Sequence, residues 1–207
     1  MKPITSGKMY QCRYAKYEEG VWDRLQPILL SDVVTGEPPR EETLVKACWD
    51  DRALYVRFDC ADAYWVSRFT NRDDPLFEQD VVEVFIDEEG TGKRYTEIVV
   101  SPRNVVFDAM ITHHDDADPL AFRIDAEWQT KQLDTTVETD GDRRFYTLVI
   151  PFDNFERVPT HGTAWRINFF RIDDDEGERP VFLHVGAEPD EERRVDRIPA
   201  VVTLDHR

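Results

Sequence analysis

Leu76-Phe77-Glu78-Gln79-Asp80-Val81-Val82-Glu83-Val84-Phe85-Ile86-Asp87 reads as a strand announced by an aromatic residue and an acidic tripeptide. Successive side chains of a strand point to opposite faces. Val82, Val84 and Ile86 make one face uniformly apolar, as a core requires. Val81, Glu83, Phe85 and Asp87 make the other face a mixture of carboxylates and apolar groups. A solvated face carries fewer large apolar residues, and a second core face excludes unpaired carboxylates. This face is therefore half-covered. A ligand floor and a surface lying under a loop both satisfy that pattern.

The same alternation recurs on both sides of this stretch. Thr43 to Trp49 and Ala53 to Cys60 form a hairpin across Asp50-Asp51-Arg52, with Leu54, Val56 and Phe58 alternating against Tyr55, Arg57 and Asp59. Tyr95 to Val100 follows the Gly90-Thr91-Gly92 turn, and Val105 to Thr112 follows Ser101-Pro102-Arg103-Asn104. Phe122 to Thr130 reads as a further strand. Leu133 to Thr139 pairs with Phe145 to Ile150 across Asp140-Gly141-Asp142, a strong hairpin signal. Trp165 to Ile172, Val181 to Val185 and Val201 to Leu204 complete the set. No window sustains a helical period and no repeat of fixed length occurs. About ten short strands with closely spaced turn signals predict an all-β chain, an antiparallel two-sheet sandwich of immunoglobulin or jelly-roll type with little helix.

At 207 residues the chain is long enough for one well-filled core. A single domain over 1–207 is expected, with residues 1–40 as a cover segment packed on the sandwich. A formal charge of -17 repels nucleic acid and anionic membranes alike. No apolar run reaches the length of a membrane span. Met1 to Tyr10 has no apolar core of a leader peptide. The expected location is cytoplasmic, or secreted where a leader has been removed. Cys12, Cys48 and Cys60 lack metal-type spacing and read as free buried thiols in a reducing compartment.

Several pieces in order resemble the family 9 carbohydrate-binding modules and their relatives. They are Asp51-Arg52-Ala53-Leu54-Tyr55-Val56 with Asp59 to Asp62, then Phe77 to Asp87, then Tyr95-Thr96-Glu97-Ile98-Val99-Val100-Ser101-Pro102. Tyr146 to Pro151 and Trp165-Arg166-Ile167-Asn168-Phe169-Phe170-Arg171 follow. The resemblance implies a β-sandwich that grips sugars without cleaving them, clamping a ring between aromatics and bonding its hydroxyls through acidic and amide side chains. It implies Phe77 as the first platform, Glu83 as the strand carboxylate and Asn168 as the amide. Phe77 stands where those members have Trp, and Gly186 to Ala200, where they carry a second ring, contains no aromatic residue. Trp65 is the candidate replacement, and an arginine of some members is replaced near Val99.

The chemistry fits such a ligand. Sugar C–H faces stack on aromatic rings, and hydroxyls pair with carboxylate, amide and guanidinium groups. Phe77, Glu83, Asn168, Arg171, Glu97 and Trp65 are the candidate ligand-binding residues for a mono- or oligosaccharide. Each has a structural alternative: a rim aromatic for Phe77, a salt bridge for Glu83, a loop tie for Asn168. No catalytic residue is assigned, because no nucleophile elbow, phosphate loop, dinucleotide fingerprint or zinc motif occurs. The runs His113 to Asp118 and Asp173 to Glu176 read as solvated acidic loops and not as metal sites. No cofactor is implied, although oxygen-rich loops leave room for a structural Ca²⁺. Two alternatives stand beside sugar binding. One is a sandwich serving as an interaction domain, the other a haem-binding relative using Met110 with His113 or His161.

Overall fold

In the computed structural model, residues 9–114, 121–174, 181–184 and 200–205 are described, with backbone alone for 9, 184, 200–203 and 205. The strands are β1 (Met9–Tyr14), β2 (Ile28–Leu29), β3 (Ser31–Asp32), β4 (Thr43–Trp49) and β5 (Ala53–Ala61). They continue with β6 (Val81–Asp87), β7 (Arg94–Val100), β8 (Val106–His113), β9 (Phe122–Asp125) and β10 (Asp134–Asp140). The last are β11 (Arg143–Pro151), β12 (Ala164–Asp173), β13 (Val181–His184) and β14 (Ala200–Asp205). Among the described residues the only helical pieces are short 3₁₀ turns at Val21–Arg24, Leu76–Glu78 and Phe152–Asn154. The expected all-β sandwich is what forms.

One layer runs β10-β11-β5-β4, and the other runs β14-β12-β6-β7-β8-β9, with β13 also on β12. Between them β1 pairs in parallel with β4 at Arg13↔Cys48 and Tyr14↔Trp49, and with β14 from Met9↔Val201 to Arg13↔Asp205. That strand makes the backbone bonding continuous from one layer to the next, so the sandwich has parallel pairs at its seam and antiparallel pairs elsewhere.

The core follows from alternation. Val45, Ala47 and Trp49 of β4, Leu54, Val56, Phe58 and Cys60 of β5, and Tyr146, Leu148 and Ile150 of β11 face inward from one layer. Val82, Val84 and Ile86 of β6, Ile98 and Val100 of β7, and Trp165, Ile167 and Phe169 of β12 meet them. Phe58 and Phe169 touch edge to face across the gap at 6.1 Å between ring centres. Each such apolar side chain contributes about 1.5–3 kcal/mol when fully buried. Tyr55 lies on the other side of β5 yet is buried too, because Tyr17 stacks flat on it at 4.3 Å. Val21 and Leu25 share a small apolar cluster with Tyr55.

Turn chemistry pins the registers. Asp140 pairs directly with Arg143, leaving Gly141 and Asp142 as the connection. Gly141 takes φ 59°, the left-handed region that a side chain resists. At the β4–β5 turn the Asp50 carboxylate accepts the amides of Arg52 (2.9 Å) and Ala53 (3.2 Å). Cys12, Cys48 and Cys60 are free and buried, and burial pushes the Cys48 and Cys60 thiols up to about 12. Phe122 to Thr130, expected as one strand, is strand only as far as Asp125. Phe122, Arg123 and Ile124 are exposed at the sheet edge, where fewer backbone partners hold it.

Candidate functional site

The outer face of the β12-β6-β7-β8 sheet carries the mixed pattern. Register sets it out in rows. Phe170, Glu83, Val99 and Phe107 form one row, and Asn168, Phe85, Glu97 and Ala109 form the next. Glu83 is therefore diagonal to both Asn168 and Glu97, with Phe85 between those two. Directly paired residues share a face and diagonal neighbours remain within side-chain reach. Leu76, Val81, Phe85, Tyr95, Val99, Phe107, Ala109, Ile111, Phe170 and Ile172 form a second apolar cluster here, separate from the core between the layers.

Two polar residues are sunk into this apolar surface. Glu83 is 3% exposed and Asn168 is 4% exposed, while Glu97 is half-buried. Among the described residues no hydrogen bond or ion pair is made by the Glu83 or Glu97 side chain. The Asn168 Oδ1 atom is buried without a hydrogen-bond partner. Loss of hydration raises the Glu83 carboxyl well above the usual range, and the facing Glu97 raises it further. Burial pushes Glu97 up to about 7. An unpaired buried polar atom costs about 1–3 kcal/mol, so this arrangement is held at a cost in the free protein.

Phe77 is 50% exposed at the border of the same face, edge-on to Phe107 with ring centres 6.5 Å apart. Asp87 shares the face by alternation but serves the β6–β7 hairpin. Its carboxylate accepts the amides of Glu89 (3.1 Å), Gly90 (2.8 Å) and Gly92 (2.6 Å). The residues before β6 have structural duties as well. Gln79 Oε1 accepts the Arg68 amide in a short bond, and Asp80 Oδ2 accepts the Val66 amide at 2.7 Å.

Arg171 and Trp65 are placed elsewhere. Arg171 stands opposite Val82, on the inner side of β12. There it donates to Thr43 Oγ1 (2.9 Å), the Ala61 carbonyl (2.8 Å) and Asp173 Oδ1 (2.7 Å), and lies 3.5 Å from Glu41 and Asp62. Trp65 covers the guanidinium of Arg144 at 4.7 Å, and Arg144 in turn holds Asp62 at 2.7 Å. Both residues thus belong to a buried ionic knot at one end of the sandwich, not to the Glu83 face.

The carboxylates of Glu41, Asp62 and Asp173 lie within 4.8 Å of one another, the spacing of a cation site. The Arg171 guanidinium already supplies the positive charge among them, so the donor set suits an arginine and does not fit Ca²⁺. His113 and Met110, three residues apart on β8, lie on opposite faces: His113 packs against Tyr95 and Phe122, whereas Met110 pairs with Thr96. They do not form an axial pair. His113 and His114 are described, but the rest of the His113 to Asp118 run lies outside the described residues, as does the segment 186–199. A cavity of about 160 Å³ beside the β6–β7 hairpin is lined by Ile86, Arg94, Thr96, Met110, Phe155 and Glu156. It contains neither Glu83 nor Asn168, and its Arg94 and Glu156 pair with each other at 3.0 Å.

The aromatic floor of the face, Phe85, Phe107 and Phe170, escapes a reading of single strands. Each residue looks like ordinary core in its own strand, and only the pairing shows that the three share one face with Glu83.

A sandwich that lays buried acceptors on rigid strands beside an aromatic rim has the architecture of a ligand-binding module. The sequence model described as "Carbohydrate family 9 binding domain-like" matches residues 15–192, and the chain belongs to that family. Among solved structures, a family 9 carbohydrate-binding module from Caldicellulosiruptor kristjanssonii in complex with cellotriose superimposes with a TM-score of 0.70 at 17% identity. That match covers 96% of this chain and 94% of the other. The module in complex with glucose gives 0.68 at 16% identity, covering 96% of each chain. A Bacteroides uniformis protein provisionally described as carbohydrate-binding gives 0.74 at 16% identity, covering 97% of this chain and 100% of that one. An "Extracellular protein" of Arthroderma benhamiae is 24% identical over an alignment of 154 residues that covers 67% of this chain and 66% of the relative. The chain thus spans somewhat less than two thirds of that fungal protein.

Proposed function

We propose that this protein is a non-catalytic carbohydrate-binding module that holds a small sugar or the end of a glycan on the outer face of β6, β7 and β12. Asn168 carries the reading. Its buried, unpartnered Oδ1 beside Glu83 is a polar site whose hydrogen bonds are left for a ligand to make. Glu83 and Glu97 supply further acceptors for sugar hydroxyls, and Phe77 offers the exposed ring on which a sugar face stacks.

The sheet geometry bears on ligand length. Phe107, the residue Phe77 packs against, is two strands away from Glu83, about 10 Å at ordinary strand spacing. A ligand that engages Glu83 and also stacks on Phe77 is therefore an oligosaccharide end rather than one ring. Membership of a carbohydrate-binding family supports this choice over an interaction domain without a ligand.

Calorimetry of the protein against glucose, cellobiose, cellotriose and a panel of other mono- and disaccharides tests it, beside Phe77→Ala and Glu83→Ala variants that retain their fold. Binding that both substitutions abolish supports the module and its site. No heat from any sugar leaves the interaction domain as the better account.

A further inference from the structure

The Glu83 face brings together two carboxyl groups and an amide oxygen that have no partner among the described residues. The carboxyl groups are those of Glu83 and Glu97, and the oxygen is that of Asn168. No cation from a neighbouring strand answers them among the described residues. At the level of Glu83, β7 presents Val99 and β12 presents Phe170. Arg171 is turned to the inner side, Arg94 is paired with Glu156, and Arg166 is exposed at the far end of the face opposite Asp87. Around the carboxylates lie aromatic rings. Phe85 is 6.4 Å from Phe170 and 6.1 Å from Tyr95, centre to centre.

A hydroxyl is neutral and gives a pair of neighbouring carboxyl groups no counter-charge. An ammonium group brings three donors, no acceptor and a positive charge. Its charge favours the ionised form of both carboxyl groups and offsets their mutual repulsion, and aromatic surroundings favour it further. A divalent metal is a poorer match, because Ca²⁺ takes six to eight oxygen ligands and this face offers three residues.

We infer that the site prefers a sugar carrying a free amine, a 2-amino-2-deoxyhexose or the end of a deacetylated amino-sugar chain, with its ammonium between Glu83, Glu97 and the Asn168 oxygen. This rests on the proposed sugar site.

The test is calorimetry at neutral pH and about 0.15 M salt, where screening weakens non-specific attraction to the acidic surface. Glucosamine and its β-1,4 dimer are compared with glucose and cellobiose, with N-acetylglucosamine and with ethanolamine. The expected result is tighter binding of the free amino sugars than of their neutral counterparts, on the order of tenfold. N-acetylation and loss of the sugar ring should each remove the gain. Glu83→Gln and Glu97→Gln, nearly isosteric and checked for folding by near-ultraviolet circular dichroism, should bring the amino-to-neutral ratio towards one. Neutral sugars binding as well as or better than the amines would overturn the inference and leave the sugar site standing. An amine preference that survives both substitutions, or equal binding of ethanolamine, would also overturn it. No binding by any sugar would remove both.

Discussion

Asn168 and Arg171 lie on the same strand and on opposite sides of it. Asn168 stands opposite Phe85 on the outer face, whereas Arg171 stands opposite Val82 and reaches Asp173 at 2.7 Å inside the ionic knot. These two polar clusters are thereby separated by the thickness of a sheet. One is paired and structural, and the other has no partner among the described residues. Each can be perturbed alone.

Arg171→Met is expected to destabilise the fold by about 3–5 kcal/mol, because it leaves Asp173 buried without its counter-ion and leaves Asp62 with Arg144 alone. Arg171→Lys should recover only part of this, since one ammonium cannot also serve Thr43 and the Ala61 carbonyl in the geometry of a guanidinium. Urea denaturation measures both. A loss below about 1 kcal/mol for the Met variant would show that the knot is not stabilising.

Stability should fall as pH rises from about 4.5 to about 7. Burial lifts Glu97 from its usual 4.5 to about 7 and Asp80 from 3.8 to about 7 in the folded protein. Over that window the folded state keeps protons that the unfolded chain has released, so raising the pH favours unfolding. Glu83 acts in the same direction, with burial first and Glu97 second as causes. Melting temperature against pH should show the decline, and Glu97→Gln should flatten it and raise stability at pH 8. A Gln variant with an unchanged slope would contradict this account.

Trp65→Ala should reduce stability by about 1–2 kcal/mol through the exposed cover of Arg144 and leave sugar affinity within twofold. Chemical denaturation and calorimetry of the same preparation separate the two effects. A large loss of affinity with unchanged stability would return Trp65 to the ligand site.

Asp87→Ala is expected to cost about 1–3 kcal/mol, since three turn amides lose their acceptor. Hydrogen exchange of Glu89, Gly90 and Gly92 should accelerate with it. Unchanged protection would mean the hairpin is held by other bonds.

Part of this was legible in residue order. Alternation alone places Val82, Val84 and Ile86 inward and Glu83 outward, and it separates Asn168 from Arg171, which are an odd number of residues apart. Asp140-Gly141-Asp142 likewise announces its hairpin, because few residues other than glycine accept that positive φ. These are local rules with a period of two, and they hold whatever the strand lies beside.

What lay beyond the sequence was which strands become neighbours. Glu83 meets Asn168 because β12 pairs with β6 across some eighty residues of chain, in one register out of several that the apolar pattern allows. Trp65 became a cover for Arg144 only when its loop was folded back against β11. Steric and hydrophobic preferences acting over a few residues set the faces of each strand and the class of fold, and those are written in residue order. That two carboxyl groups and an amide oxygen share one buried surface, with no counter-ion among the described residues, came from the folded chain alone, since it depends on long-range packing that no local pattern encodes.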